Sequence, residues 1–157
     1  MKSIIKALLT ICLITFAINS LQSSCPAIPT NSTPITITKI YDGDTVGARI
    51  EGEVFLVRLK GVDCYETMRI SRAYRQAYEG GISVDEVVER GERSKEYLSG
   101  LFNQVGKDRI YFQFQGVDRY SRALGVLYFG RVNVNEEMID RGGCLVYEYK
   151  QQDKRRK

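Results

Sequence analysis

The sequence predicts an α+β domain in which a five-stranded Greek-key β-barrel carries packed α-helices. Three observations predict it: segments that alternate apolar and polar residues with period two, one long amphipathic stretch with a helix-opening signature, and the order three strands, helix, two strands, helix. At 157 residues, with 43% hydrophobic and 27% charged residues, the chain has the length and composition of one ordinary globular domain.

Ahead of the domain, residues 1–24 read as an export signal: Lys2 and Lys6 are its basic start, residues 4–18 are nearly continuous apolar sequence, and residues 19–24 turn small and polar. The apolar run falls short of the roughly 20 residues that a membrane span needs. Cys25 follows Leu21-Gln22-Ser23-Ser24, which is similar to the lipobox of bacterial lipoproteins. Two readings stand: Cys25 is lipidated and tethers the protein to a membrane, or ordinary signal peptidase cuts after Ser20 or Ser24. Either way the protein is expected to be exported, whether secreted, periplasmic or membrane-anchored. All three prolines, Pro26, Pro29 and Pro34, fall in residues 25–34 among Ser, Thr and Asn, the composition of an extended tether.

The domain spans residues 35–150. Residues 35–40 alternate strictly; residues 46–50 and 54–59 follow, separated by a Glu51-Gly52 turn, and the three runs form an antiparallel meander. Ser83 opens a helix, with Glu86 three residues on as a capping box. Val87, Val88, Tyr97, Leu98, Leu101 and Phe102 give that helix an apolar face to about residue 105, with Gly91 weakening its middle. Strands at 109–115 and 124–129, a turn at Gly130-Arg131, a short helix at about 135–141 and an apolar segment at 144–149 complete the domain. Residues 151–157 are a basic tail. A five-stranded barrel of the OB type has this order and commonly presents nucleic acid on one face.

Composition narrows the chemistry. There is no histidine, so Ser-His-Asp and Cys-His catalysis, HExxH zinc sites and His proton shuttles are excluded. Any acid-base work falls to carboxylates, Tyr, Lys, Arg or metal-bound water. The formal charge of +4 drops to +2 without the leader, which is weak evidence for any partner. The four cysteines, at 12, 25, 64 and 144, form no CxxC pair. With Cys12 in the leader and Cys25 at its end, Cys64 and Cys144 remain either as a disulfide pair or as two separate thiols.

Polar residues that break the strand pattern mark a candidate site. Asp42-Gly43-Asp44-Thr45 follows the first strand; taken alone it is as good a turn as a site. Arg58 interrupts the apolar face of the third strand, and Asp63 and Glu66 follow within eight residues. Asp118-Arg119-Tyr120-Ser121-Arg122 links the next two strands.

In order along the chain, Tyr41-Asp-Gly-Asp-Thr45, Val57-Arg-Leu-Lys-Gly-Val-Asp-Cys-Tyr-Glu66, Asp118-Arg-Tyr-Ser-Arg122, Val134-Asn-Glu136 and Val146-Tyr-Glu-Tyr149 resemble the staphylococcal nuclease (thermonuclease) family. The resemblance covers residues 35–150. It implies a calcium-dependent OB-fold phosphodiesterase, expected as a monomer, that cuts DNA and RNA to 3'-phosphate ends. Position by position, Asp44 and Asp63 match the carboxylates that bind Ca2+, with the backbone carbonyl of Cys64 as a third ligand; hard oxygen donors suit this ion. Asp42 matches a supporting acidic position. Glu66 matches the general base, and Arg58 and Arg122 match the arginines that grip the scissile phosphate. Arg119, Tyr120 and Tyr147 match nucleotide contacts.

Three departures accompany the match. Cys64-Tyr65-Glu66 stands where the family has Thr-Pro-Glu, so no proline stiffens the loop that holds Glu66. Ser121 stands where glycine is common. Residues 67–81 are a longer connection, with Arg69, Arg72 and Arg75 interleaved with Tyr74 and Tyr78, expected as a substrate-side loop or simply a solvated basic one. Cys64 and Cys144 are expected to form a disulfide beside the site. Retention of Asp44, Arg58, Asp63, Glu66 and Arg122 favours an enzyme over a non-catalytic OB binding module or a structural surface lipoprotein, neither of which has a chemical need for that set.

Overall fold

A computed structural model describes residues 28–105 and 109–148. The leader, Cys25, the first residues of the tether, Tyr149 and the basic tail lie outside the described residues.

Strands β1 (Thr33–Pro34), β2 (Thr36–Ile40), β3 (Thr45–Ile50), β4 (Glu53–Leu59) and β5 (Val62–Asp63) come first. Helices α1 (Ser71–Gly80) and α2 (Val84–Gln104) follow, then β6 (Ile110–Val117), β7 (Ala123–Phe129), β8 (Val132–Asn133), α3 (Val134–Asp140) and β9 (Leu145–Val146). The domain is therefore α+β. The meander appears where alternation put it: Ile35 and Ile37 are buried while Thr36 and Thr38 face out. Glu51 (φ 49°) and Gly52 (φ 95°) make the two-residue hairpin between β3 and β4, since both central positions of such a turn need positive φ.

The sheet differs from a closed ring of five strands. Its ladder runs β1-β6-β7-β4-β3-β2, with β8 branching from β7, and no ladder joins β1 to β2 among the described residues. β1 and β2 are consecutive pieces of chain that meet at Ile35, whose N–H donates to Ile110 O at 3.0 Å. One pairing places the site: β4 and β7 run parallel, with Val57 opposite Ala123 and Arg58 opposite Leu124. Arg58 is also the antiparallel partner of Thr45. The β3–β4 hairpin thus meets the start of the distant β7, bringing Asp44, Arg58 and Arg122 together.

α2 begins one residue after Ser83, whose hydroxyl accepts from Glu86 N, as a cap should. The capping box is only half formed, because the Glu86 carboxylate turns to Arg90 instead, at 2.6 Å. Val87 and Leu98 on this helix are fully buried; each contributes about 1.5–3 kcal/mol on burial. At the other end of the core, Asn135 ties α3 to the sheet. Its amide donates to Lys60 O (2.9 Å) and Gly125 O (3.0 Å) and accepts from Leu127 N (3.0 Å).

Residues 67–81, expected as a loop, contain α1. This helix has no side-chain cap at Ile70 and no acidic residue in its first turn, so its start carries no sequence signature. It holds by packing: Ala73 and Ala77 bury against Val87 of α2 and Tyr65. Gly81 ends it in the left-handed conformation (φ 62°), its N–H reaching the carbonyls of Ala77 and Tyr78. The expected terminal segment is shorter than its apolar run; β9 is two residues, paired with β5. Among the described residues no helix is long and apolar enough to cross a membrane.

Candidate active site

A cleft of about 570 Å³ opens at the strand ends. Asp42, Asp44, Arg58, Cys64 and Glu66 line it on one side, Arg119, Tyr120 and Arg122 on another, and Arg72 and Arg75 of α1 close it. Asp63 is not among the lining residues but pairs with two of them, Arg58 and Arg72. Tyr147 lies outside the lining: it follows β9, and its N–H donates to Gly61 O at 2.9 Å.

The Asp-Gly-Asp turn is built to present Asp44. Asp42 Oδ1 accepts from Asp44 N at 3.0 Å, closing the turn on itself. Asp44 Oδ2 then accepts from Cys64 N at 2.8 Å and Oδ1 from the Thr45 hydroxyl at 3.0 Å, so the buried carboxylate is fixed at both oxygens. Gly43 allows this closeness: a Cβ there would come within 2.8 Å of both Cys64 Sγ and Ser94 Cβ. Cys64 and Cys144 are joined by a disulfide, which packs against that turn.

Arg58 is the hub. Only 6% exposed, its guanidinium forms an ion pair with Asp44 through Nη1 and donates to Asp63 Oδ1 through Nη2 at 3.3 Å. Burial pulls its pKa below the ordinary arginine value, with Asp63 opposing that shift. A buried cation of this kind persists only with paired carboxylates around it. Burial also pushes the Asp42 carboxyl above its usual value, against the pull of Arg58.

Glu66 enters from the segment after β5. Burial raises its carboxyl above the usual range; Arg72 pulls the other way, and Asp42 adds to the rise. Arg72 Nε lies 2.9 Å from Glu66 Oε1, and the same guanidinium pairs with Asp63. Arg122 is aimed by Asp118, which accepts from its backbone N (2.9 Å) and from its Nε and Nη2 (2.7 Å each). Its Nη1 also donates to the Thr45 hydroxyl at 3.4 Å. Burial works against ionisation of Asp118, but the N–H groups of Arg122 and Tyr120 and the Arg122 guanidinium outweigh it and hold this carboxyl below the usual value. Ser121 adopts φ 61°, the left-handed conformation that glycine prefers. Tyr120 is exposed, with the Arg119 guanidinium over its ring at 4.8 Å and that of Arg122 at 5.5 Å.

The structure therefore brings together Asp42, Asp44, Arg58, Asp63, Cys64, Glu66, Arg119, Tyr120 and Arg122. Four further participants have no individual role in the sequence reading. Arg72, expected only as one of three arginines of a loop, and Gln76 lie on α1, whose helical signals are the four-residue spacing of Ala73 and Ala77 and the glycine that ends it. Asp118 and Thr45 stood inside quoted motifs without a role; each turns out to orient an arginine.

For a divalent cation the donor set has the right chemistry. Asp44 and Asp63 already converge on one positive group, Arg58, and the nearby donors are oxygens, the sulfur of Cys64 being bound in the disulfide. The Cys64 carbonyl accepts from Gln76 Nε2 at 3.0 Å and keeps a second lone pair. Among the described residues no three acidic or cysteine side chains converge as a ready cage. Two carboxylates and a carbonyl would leave most of such an ion's shell to other ligands.

An uncharacterized endonuclease of Haemophilus influenzae is 32% identical over 116 residues, covering 73% of this chain and 52% of the relative. Protein ParB of Escherichia coli is 25% identical over 122 residues, covering 72% and 56%. An uncharacterized protein of Methanocaldococcus jannaschii is likewise 25% identical, covering 71% and 58%. The chain spans little more than half the length of these curated relatives. Residues 56–157 match the model of the family described as staphylococcal nuclease homologue, a span that runs from Arg58 through Arg122, and the chain belongs to that family.

Proposed function

We propose that this protein is an exported, Ca2+-dependent nuclease that hydrolyses phosphodiester bonds of DNA and RNA and leaves 3'-phosphate ends. The observation that carries it is the convergence of Arg58, Arg122 and Glu66 on one cleft beside the Asp44 carboxylate. Asp44, Asp63 and the Cys64 carbonyl would hold the cation, which when bound polarises a phosphate oxygen.

The chain's own residues do the rest. Arg58 and Arg122 grip non-bridging oxygens of the scissile phosphate and stabilise the charge that builds as phosphorus becomes five-coordinate. The Glu66 carboxylate takes a proton from the attacking water as its oxygen bonds to phosphorus. The bond from phosphorus to the 5' oxygen breaks, that oxygen takes a proton from solvent water, Glu66 returns its proton to solvent, and the phosphate stays on the 3' side. Tyr120, backed by Arg119, offers a flat face to a base. Export fits the disulfide, which persists in oxidising compartments.

Hydrolysis of single-stranded DNA by the purified protein, with Ca2+ and then with a chelator, tests the proposal. Cleavage that the chelator abolishes is the expected result. Binding without cleavage in Ca2+ would make the protein a non-catalytic OB module instead.

A further inference from the structure

We propose that Gln76 is a positioning residue: its side-chain amide clamps the backbone that carries Glu66 and so fixes the Glu66 carboxylate in the cleft. What Glu66 does there rests on the nuclease reading; how it is held does not.

β5 ends at Asp63, and its ladder with β9 ends with it. Beyond it, Cys64 O and Glu66 N have no backbone hydrogen-bond partner among the described residues, and buried backbone groups need partners. Both turn to one side chain. Gln76 Nε2 donates to Cys64 O, and Gln76 Oε1 accepts from Glu66 N, each at 3.0 Å. A carboxamide offers the same donor and acceptor as a peptide group, so Gln76 substitutes for one residue of a neighbouring strand. Glutamate could accept but not donate, and leucine could do neither.

The clamp is itself rigid. Gln76 stands between Ala73 and Ala77, which anchor α1 against α2. Arg72, four residues earlier and so on the same face of the helix, reaches the Glu66 carboxylate. α1 thus holds Glu66 twice, by backbone through Gln76 and by side chain through Arg72. The opposite side is closed by bare helix: a Cβ on Gly91 would lie 2.4 Å from Glu66 O. Residues 64–66 run between an amide clamp and a glycine groove. Where the family pattern stiffens this segment with proline, this chain fixes it by hydrogen bonds from the helix in the longer connection.

The test uses the whole protein with Gln76→Leu, and Gln76→Glu as the variant that best keeps shape and solubility. Steady-state cleavage of a single-stranded oligonucleotide in Ca2+, well below the melting temperature, should show kcat lowered about 10- to 100-fold, as misplacement of a reacting group does. With Ca2+ saturating for each variant, KM should stay within about twofold, because Arg58 and Arg122, which grip the phosphate, form no bond with Gln76. Independently, hydrogen exchange at Glu66 N–H should speed up about tenfold or more in Gln76→Leu and stay slow in Gln76→Glu, which keeps the acceptor, while Leu59 N–H, bonded to Asp44 O, keeps its protection in both. A lowered melting temperature with unchanged kcat would reduce Gln76 to a structural residue and overturn the proposal. If the wild-type protein cleaves nothing, the nuclease reading fails, and the exchange measurement alone decides: unchanged protection at Glu66 N–H in Gln76→Leu overturns the clamp.

Discussion

Glu66 is where burial and charge act most directly on chemistry. Its half-buried carboxyl is raised by desolvation, and Arg72 only partly restores the charged form. In the cation-free protein the Glu66 carboxyl should therefore titrate above 4.5, the ordinary value for this group, and an NMR titration in chelator checks this; a midpoint at or below 4.5 would contradict it. Glu66→Gln should lower kcat by about 10²- to 10⁴-fold with the fold intact, measured alongside circular dichroism. The raised pKa also has a stability consequence of definite sign. The folded state holds the proton more tightly than the unfolded chain, so stability falls as pH climbs from 4.5 through the raised value. Urea unfolding in chelator should show that slope for the wild type and a reduced one for Glu66→Gln. Asp118 has the opposite sign: its lowered pKa adds stability above 3.8 that is lost as pH falls below it, loosening the turn that aims Arg122.

The elements that hold the site differ in how plainly the sequence announced them. α2 was legible because Ser83 caps it and its apolar residues recur at helical spacing; α1 was not, because it starts without a cap and buries only two alanines. Gly91 read as a weak point in α2, yet it is the groove for the Glu66 carbonyl, a contact between segments that no local pattern encodes. Two effects compete in Gly91→Ala. Helix propensity gains about 1 kcal/mol, whereas overpacking costs about 1–3 kcal/mol. The clash is with backbone that no rotamer can move, so the cost should win, lowering both the melting temperature and kcat. The disulfide links positions 80 residues apart, from the start of the Glu66 segment to the approach to β9. A loop of that length stabilises by about 3–5 kcal/mol through the unfolded state. Denaturant unfolding with and without reductant should show a loss of that order.

For the molecule as a whole, order along the chain was enough to read an α+β fold, because alternation and capping are local. The parallel pairing of β4 with β7 was not readable, since it depends on which distant strands share a core, and it is this pairing that sets Arg58 beside Arg122. Charge follows the same logic. A formal +4 spread over 157 residues says little, but the cleft concentrates arginines of two kinds. Arg58, Arg72 and Arg122 are paired with carboxylates, so a phosphate that reaches them must compete with Asp44, Asp63, Glu66 or Asp118. Arg75 and Arg119 line the same cleft, and neither forms an ion pair with a carboxylate among the described residues. Affinity for a single strand should therefore come disproportionately from these two. Counterion release gives a slope of log K against log salt of about −0.7 per phosphate neutralised on a single strand. Arg75→Ala and Arg119→Ala should each flatten the measured slope by about 0.7, and the double variant by about 1.4, in chelator so that binding is read without cleavage. Unchanged slopes would mean that the strand does not cross this cleft between α1 and the Arg119 turn.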